Sequence, residues 1–176
     1  MSTVLVIGAS RGIGLELVRQ YAADGWRVLA TVRDEAGRAR VQALGAQALT
    51  VDVAQPASVS GLAWMLDGEK PDLALYVAGV MRRPGARTPP TREDFDAVMH
   101  TNVLGPMRVL PQLLDALAPD ARIGILSSRM GSMTLRANSA GWVYRASKAA
   151  VNSVMKDLSL TLDGRAVCVS LHPGWV

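Results

Sequence analysis

The opening stretch "MSTVLVIGASRGIGLELVRQYAAD" constrains the fold more than any other part of the chain. "TVLVIG" (3–8) is a short β-branched run that breaks at a glycine, as a buried parallel strand does. "GIGLELVRQYAAD" (12–24) then places apolar residues at helical spacing and stops at Gly25. A strand that passes through a glycine loop into a helix begins a strand–helix–strand unit, and the pattern repeats. Strand-like runs fall at 26–32, 46–53, 72–79, 121–128 and 165–174. Helical runs fall between them at 35–44, from Pro56 to about Leu66, at 91–117 and at 143–162. Thr91 with Asp94 gives the 91–117 helix a capping-box start, and Pro106 and Pro111 are expected to bend it. Such alternation predicts an α/β domain over 1–176, with a six-stranded parallel sheet and helices on both faces.

Composition excludes several classes. Cys168 is the only cysteine, so there is no disulfide framework or cysteine-rich metal site. His100 and His172 have no ligand spacing around them, and no metal is expected. No apolar run approaches the roughly 20 residues of a membrane helix, and the first residues lack a basic n-region. A cytoplasmic setting and no membrane partner are expected. The net charge of +4 comes from 16 arginines and three lysines. They are scattered, with few aromatics between them, which reads as a solvated surface and not as a nucleic-acid interface.

Two spacings carry chemistry. In "GASRGIG" (8–14), Gly8 permits a tight turn, Gly12 lets backbone approach a pyrophosphate, and Gly14 lets helix and strand pack closely. The phosphates would rest on the helix N-terminus, where free N–H groups and the dipole favour anions. In "GWVYRASKAAVN" (141–152), Tyr144 and Lys148 lie one helical turn apart on the same face. An ammonium beside a phenol should pull the phenol's pKa of about 10 toward the working range of an acid–base catalyst.

The G-x-x-x-G-x-G spacing and the residues that follow in order resemble the short-chain dehydrogenase/reductase family, over essentially the whole chain. Within it, "SSRMGS" followed by "YRASKAAVN" is most similar to the C-factor-like and sniffer-type carbonyl reductases. The resemblance implies a Rossmann-type doubly wound sheet, with a seventh strand and a substrate lid expected beyond residue 176. It implies that Tyr144 protonates a carbonyl oxygen while hydride arrives at carbon, and that Ser128 hydrogen-bonds the same oxygen. Lys148 would also bind the nicotinamide ribose, and Asn102 would hold a water linking Lys148 to solvent. Ser10, Arg11 and Ile13 of the glycine loop, the Asp52-Val53 pair, the Ala78-Gly79 backbone, and Pro173 and Gly174 of "HPG" would contact the cofactor.

Several points stay open in the sequence. Many family members place the serine 13 residues before the tyrosine, where this chain has Gly131, whereas Ser128 lies 16 before. Ser127 and Ser132 are the alternatives. After the second strand, Arg33 and the loop residue Arg11 would suit a 2′-phosphate and hence NADP(H). Asp34 could instead serve the ribose hydroxyl of NAD(H). Tyr76 and Val77 replace the family's paired asparagines, a change expected to affect sheet bracing more than chemistry. Met130 and Met133 read as packing residues, with an apolar substrate pocket as the alternative. The expected partner is a small carbonyl or alcohol substrate, with a homodimer or homotetramer through helices 91–117 and 143–162. The rival reading is a non-catalytic NADP(H)-binding regulatory or signalling protein on the same fold.

Overall fold

A computed structural model describes residues 1–82 and 84–174. Six strands form one sheet: β1 (Thr3–Ile7), β2 (Arg27–Val32), β3 (Gln47–Thr50), β4 (Leu73–Tyr76), β5 (Ala121–Leu126) and β6 (Ala166–Leu171). All neighbours are parallel, in the order β3-β2-β1-β4-β5-β6. The order reverses at β1, so a crevice opens between the carboxyl ends of β1 and β4.

Every residue of β1 is buried, because helices cover both sides of it. Val4 and Val6 point into a core shared with Val18 of α1 (Gly12–Ala23) and Val41 of α2 (Glu35–Gln42). Leu5 and Ile7 point the other way, into a larger core. That core includes Leu62 from α4 (Leu62–Met65), Val109 from α6 (Gly105–Val109) and Val151 and Leu158 from α7 (Trp142–Leu162).

Two predicted helices are interrupted. The stretch from Pro56 to Leu66 divides into single turns, α3 (Pro56–Val59) and α4, because the chain breaks step at Ser60-Gly61. The run 91–117 starts as α5 (Arg92–Met99), widens to a π-turn (His100–Leu104), continues as α6 and ends in a 3₁₀ turn (Leu110–Leu113). Pro106 and Pro111 lack the N–H that regular α-helical pairing requires, and the pitch changes around each. Thr91 caps this run, accepting a hydrogen bond from the Asp94 N–H.

Candidate active site

The crevice at the switch point is a cavity of about 280 Å³. It is lined by Gly8, Ser10, Arg11, Gly12, Ile13, Arg33, Asp52, Val53, Ala78 and Gly79, all expected from sequence, together with Thr31, Val80 and Thr101. Gly8 and Gly12 have φ of +91° and +57°, a region that favours glycine. A Cβ on Gly8 would sit 2.6 Å from the Ala78 nitrogen, whereas one on Gly12 would meet open space. Gly14 lies beneath the loop, where a Cβ would collide with the Gly8 carbonyl oxygen. The three glycines therefore answer three separate demands: a turn, an open face and a close helix–strand contact.

Two residues that sequence reasoning passed over hold this loop. Thr31 accepts from the Gly8 N–H through Oγ1 at 2.9 Å and from the Ala9 N–H through its carbonyl at 2.8 Å. Arg40 donates from Nε to the Ser10 carbonyl at 2.9 Å. No side chain caps α1, so its first-turn N–H groups remain available on the crevice side. With the open face of Gly12, this cradle fits a pyrophosphate.

Asp34 is committed elsewhere. Its Oδ1 accepts from the Gly37 N–H at 2.7 Å and caps α2. Arg33 lines the crevice and is exposed, and among the described residues neither it nor Arg11 has an ion-pair partner. Asp52 closes a local turn, with Oδ1 accepting from the Ala54 N–H at 3.0 Å.

On the other side of Gly79 the second set of residues converges. A Cβ at Gly79 would lie 3.4 Å from Asn102 Oδ1 and 3.6 Å from Lys148 Nζ. Asn102 occupies the π-turn and is 1% exposed. Its amide accepts from the Val80 N–H at 2.8 Å and donates to the Val80 carbonyl at 2.9 Å and to Ser147 Oγ at 3.0 Å. Ser147 in turn donates to the Tyr144 carbonyl at 2.8 Å. Asn102 thus ties the end of β4 to the first turn of α7 through a buried serine that the sequence did not flag.

Lys148 Nζ lies over the Tyr144 ring, 5.6 Å from its centroid, and donates to the Leu126 carbonyl at 2.6 Å. Burial brings the Lys148 ammonium down to about 8 from the ordinary 10.5. The expected lowering of the Tyr144 phenol is overturned. Burial pushes Tyr144 above its ordinary value, and a hydrogen bond with Ser128 opposes that rise. Desolvation penalises phenolate and ammonium alike, and it is the largest cause of both shifts.

Geometry separates the serines. Ser128 follows β5, reaches Tyr144, and accepts from the Met130 N–H at 3.1 Å. Ser127 is buried, donating to Asn152 Oδ1 at 2.7 Å, and Ser132 Oγ accepts from the Leu135 N–H at 3.1 Å. At the 13-residue spacing, a Cβ on Gly131 would lie 2.7 Å from the Lys148 carbonyl carbon, so no serine fits there. Pro173 and Gly174 follow β6 at the same end of the sheet but do not line the crevice. The described residues contain no cluster of His, Cys, Asp and Glu able to hold a metal, and no helix long and apolar enough to cross a membrane.

Known proteins are similar to this chain in sequence and fold. The chain is 35% identical over 187 residues to the 1-hydroxy-2-glutathionyl-2-methyl-3-butene dehydrogenase of Rhodococcus sp. (strain AD45), covering all of this chain and 78% of that one. It superposes on a carbonyl reductase from Pseudomonas aeruginosa PAO1 in complex with NADP with a TM-score of 0.87. The two are 29% identical, and the match covers 100% of this chain and 84% of the other. A structure described as the carbonyl reductase Sniffer of Caenorhabditis elegans gives the same TM-score of 0.87 at 27% identity, over 100% and 86% of the two chains. The family model for short chain dehydrogenases matches residues 2–176, and the chain belongs to that family.

Proposed function

We propose that this protein is an NADPH-dependent oxidoreductase that reduces an aldehyde or ketone to an alcohol. The observation that carries the reading is the convergence at Gly79. One side of this residue lines the glycine-loop crevice, and the other abuts Lys148, which lies over the Tyr144 ring. Bound NADPH supplies the hydride for the carbonyl carbon. Tyr144 donates its phenolic proton to the carbonyl oxygen, and Ser128 hydrogen-bonds that oxygen as negative charge develops there. A phenol held protonated by burial starts in the form an acid must have.

Lys148 sits between the tyrosine and the crevice. Its positive charge favours the phenolate that remains after proton donation, and its lowered pKa lets it pass a proton near neutral pH. Asn102 holds Val80 and, through Ser147, the Tyr144 backbone, so the cofactor side and the acid keep their register. Arg33 and Arg11 supply charge for a 2′-phosphate, and one oxygen of Asp34, the acidic residue that would favour NADH, is engaged with Gly37. The NADP-bound neighbour supports the same cofactor.

The test is NADPH oxidation with aldehydes, quinones and diketones, beside Tyr144→Phe and with NADH as the alternative donor. Turnover that disappears in Tyr144→Phe while NADPH still binds is the expected result. Tight NADPH binding without turnover of any carbonyl would turn the reading toward a cofactor sensor.

A further inference from the structure

Arg145 follows Tyr144 on α7, and no step above uses it. The residue is 6% exposed, yet among the described residues it has no carboxylate within ion-pair distance. A buried guanidinium is costly unless its donors are met. Here one loop supplies an acceptor to each of its three nitrogens. Nε donates to the Ala140 carbonyl at 2.8 Å, one terminal nitrogen to Asn138 Oδ1 at 2.7 Å and the other to the Met130 carbonyl at 3.5 Å. These acceptors span both ends of the segment between Ser128 and Tyr144, the segment that is three residues longer than the common family spacing.

Other contacts pin the same segment. Gly131 packs on the Lys148–Ala149 peptide, where a Cβ would come within 2.7 Å of the Lys148 carbonyl carbon. Gly141, at φ +69°, turns the chain into α7, and the Met130 methyl lies 3.2 Å from where its Cβ would be. Between these pins the loop holds large apolar side chains outward. Met133 is 74% exposed and Leu135 61% exposed, with Trp142 partly exposed where α7 begins. One end of the loop packs on the Lys148 backbone and the other enters α7 three residues before Tyr144, so the loop flanks the reacting pair.

We infer that Arg145 is the clamp that seats the 130–140 loop on the first turn of α7, and that the apolar face so held selects carbonyl substrates carrying a bulky apolar group. The substrate half of this inference rests on the reductase reading of Tyr144; the clamp does not. Arg145 is a positioning and specificity residue, because its planar fork meets three separated acceptors from three different nitrogens, a spread that the single nitrogen of a lysine does not match.

The test compares Arg145→Met, Arg145→Lys and Asn138→Ala with the wild type. Amide hydrogen exchange over 130–140, the Kd for NADPH, and kcat and KM for propanal and for an aryl diketone are measured. Exchange over the loop should quicken by about tenfold or more in Arg145→Met, less in Asn138→Ala, and partly recover in Arg145→Lys. KM for the aryl diketone should rise about tenfold more than KM for propanal, with NADPH binding retained. Unchanged exchange in the folded variants overturns the clamp. A parallel rise in both KM values overturns the specificity role. If Arg145→Met does not fold, Asn138→Ala, which changes an exposed side chain, carries the same readouts. A wild type that reduces neither carbonyl defeats the reductase reading and the substrate half with it, while exchange still decides the clamp.

Discussion

Gly131→Ser introduces a serine at the spacing common in the family, and the structure says the change must fail. The new Cβ would lie 2.7 Å from the Lys148 carbonyl carbon, 2.9 Å from its oxygen and 3.0 Å from the Ala149 nitrogen. All three are backbone atoms within α7, so no side chain can rotate away to make room. The helix is anchored around them by buried Val143, Ser147, Lys148 and Val151, so the 3₁₀ turn Arg129–Gly131 has to lift instead. Overpacking of this kind costs about 1–3 kcal/mol. In a chain of this size each kcal/mol lowers Tm by about 2–4 °C, which places the expected loss at about 2–12 °C.

Lifting that turn also drags Ser128, the residue just before it, away from Tyr144. Ser128→Ala alone should cut kcat about 100-fold, the usual loss for one donor to a developing oxyanion. The decisive variant is the double Ser128→Ala, Gly131→Ser, which moves the hydroxyl to the common spacing. Thermal melts by circular dichroism and NADPH oxidation should show it both destabilised and as inactive as Ser128→Ala. Recovered turnover in the double variant, or a Gly131→Ser melt within about 1 °C of wild type, would refute the placement of this turn against α7.

Three further outcomes follow from the same geometry. Asp34→Ala should lower stability by about 1 kcal/mol through loss of the α2 cap and leave NADH binding unchanged; a clear fall in NADH affinity would return Asp34 to the ribose. Arg33→Ala should weaken NADPH by about tenfold or more, the size of one charge-assisted contact, and leave NADH nearly untouched, as titration of both cofactors would reveal. Burial brings Lys148 down to about 8 from 10.5, so its ammonium destabilises the fold below pH 8, and the penalty lifts as pH rises toward 10.5 because the unfolded chain holds that proton more tightly. Urea unfolding of Lys148→Met should therefore show a gain of up to about 3 kcal/mol at pH 7 that shrinks by pH 10; a gain independent of pH would count against the buried charge.

The sheet and the glycine loop were legible in the sequence because each depends on local demands: β-branched runs that end at glycine, and glycines where the backbone has no alternative. The helical run 91–117 was legible in extent but not in pitch, since a π-turn around Asn102 depends on what packs against it. Tyr76 shows the difference. Its place reads as a lost asparagine, a weakened brace. In the structure its buried hydroxyl donates to the Thr101 carbonyl at 3.2 Å, and a Cβ on Gly105 would come 2.5 Å from that oxygen. Tyrosine and glycine together replace one kind of brace with another, and neither residue alone reveals it.

Asp34 was ambiguous for a related reason: a carboxylate just before a helix can cap it or face a ribose, and the cap shows itself only in the 2.7 Å contact with Gly37. The Tyr144–Lys148 pair marks the limit of what spacing can tell. A four-residue separation fixes which side chains are neighbours, and that expectation holds at 5.6 Å from ring to ammonium. The direction of a pKa shift depends on how much solvent each group loses, and that loss is set by everything packed around α7. Lys148 falls and Tyr144 rises because the same enclosure excludes water from both. Separation in sequence supplied the distance, and only the assembled fold could supply the sign.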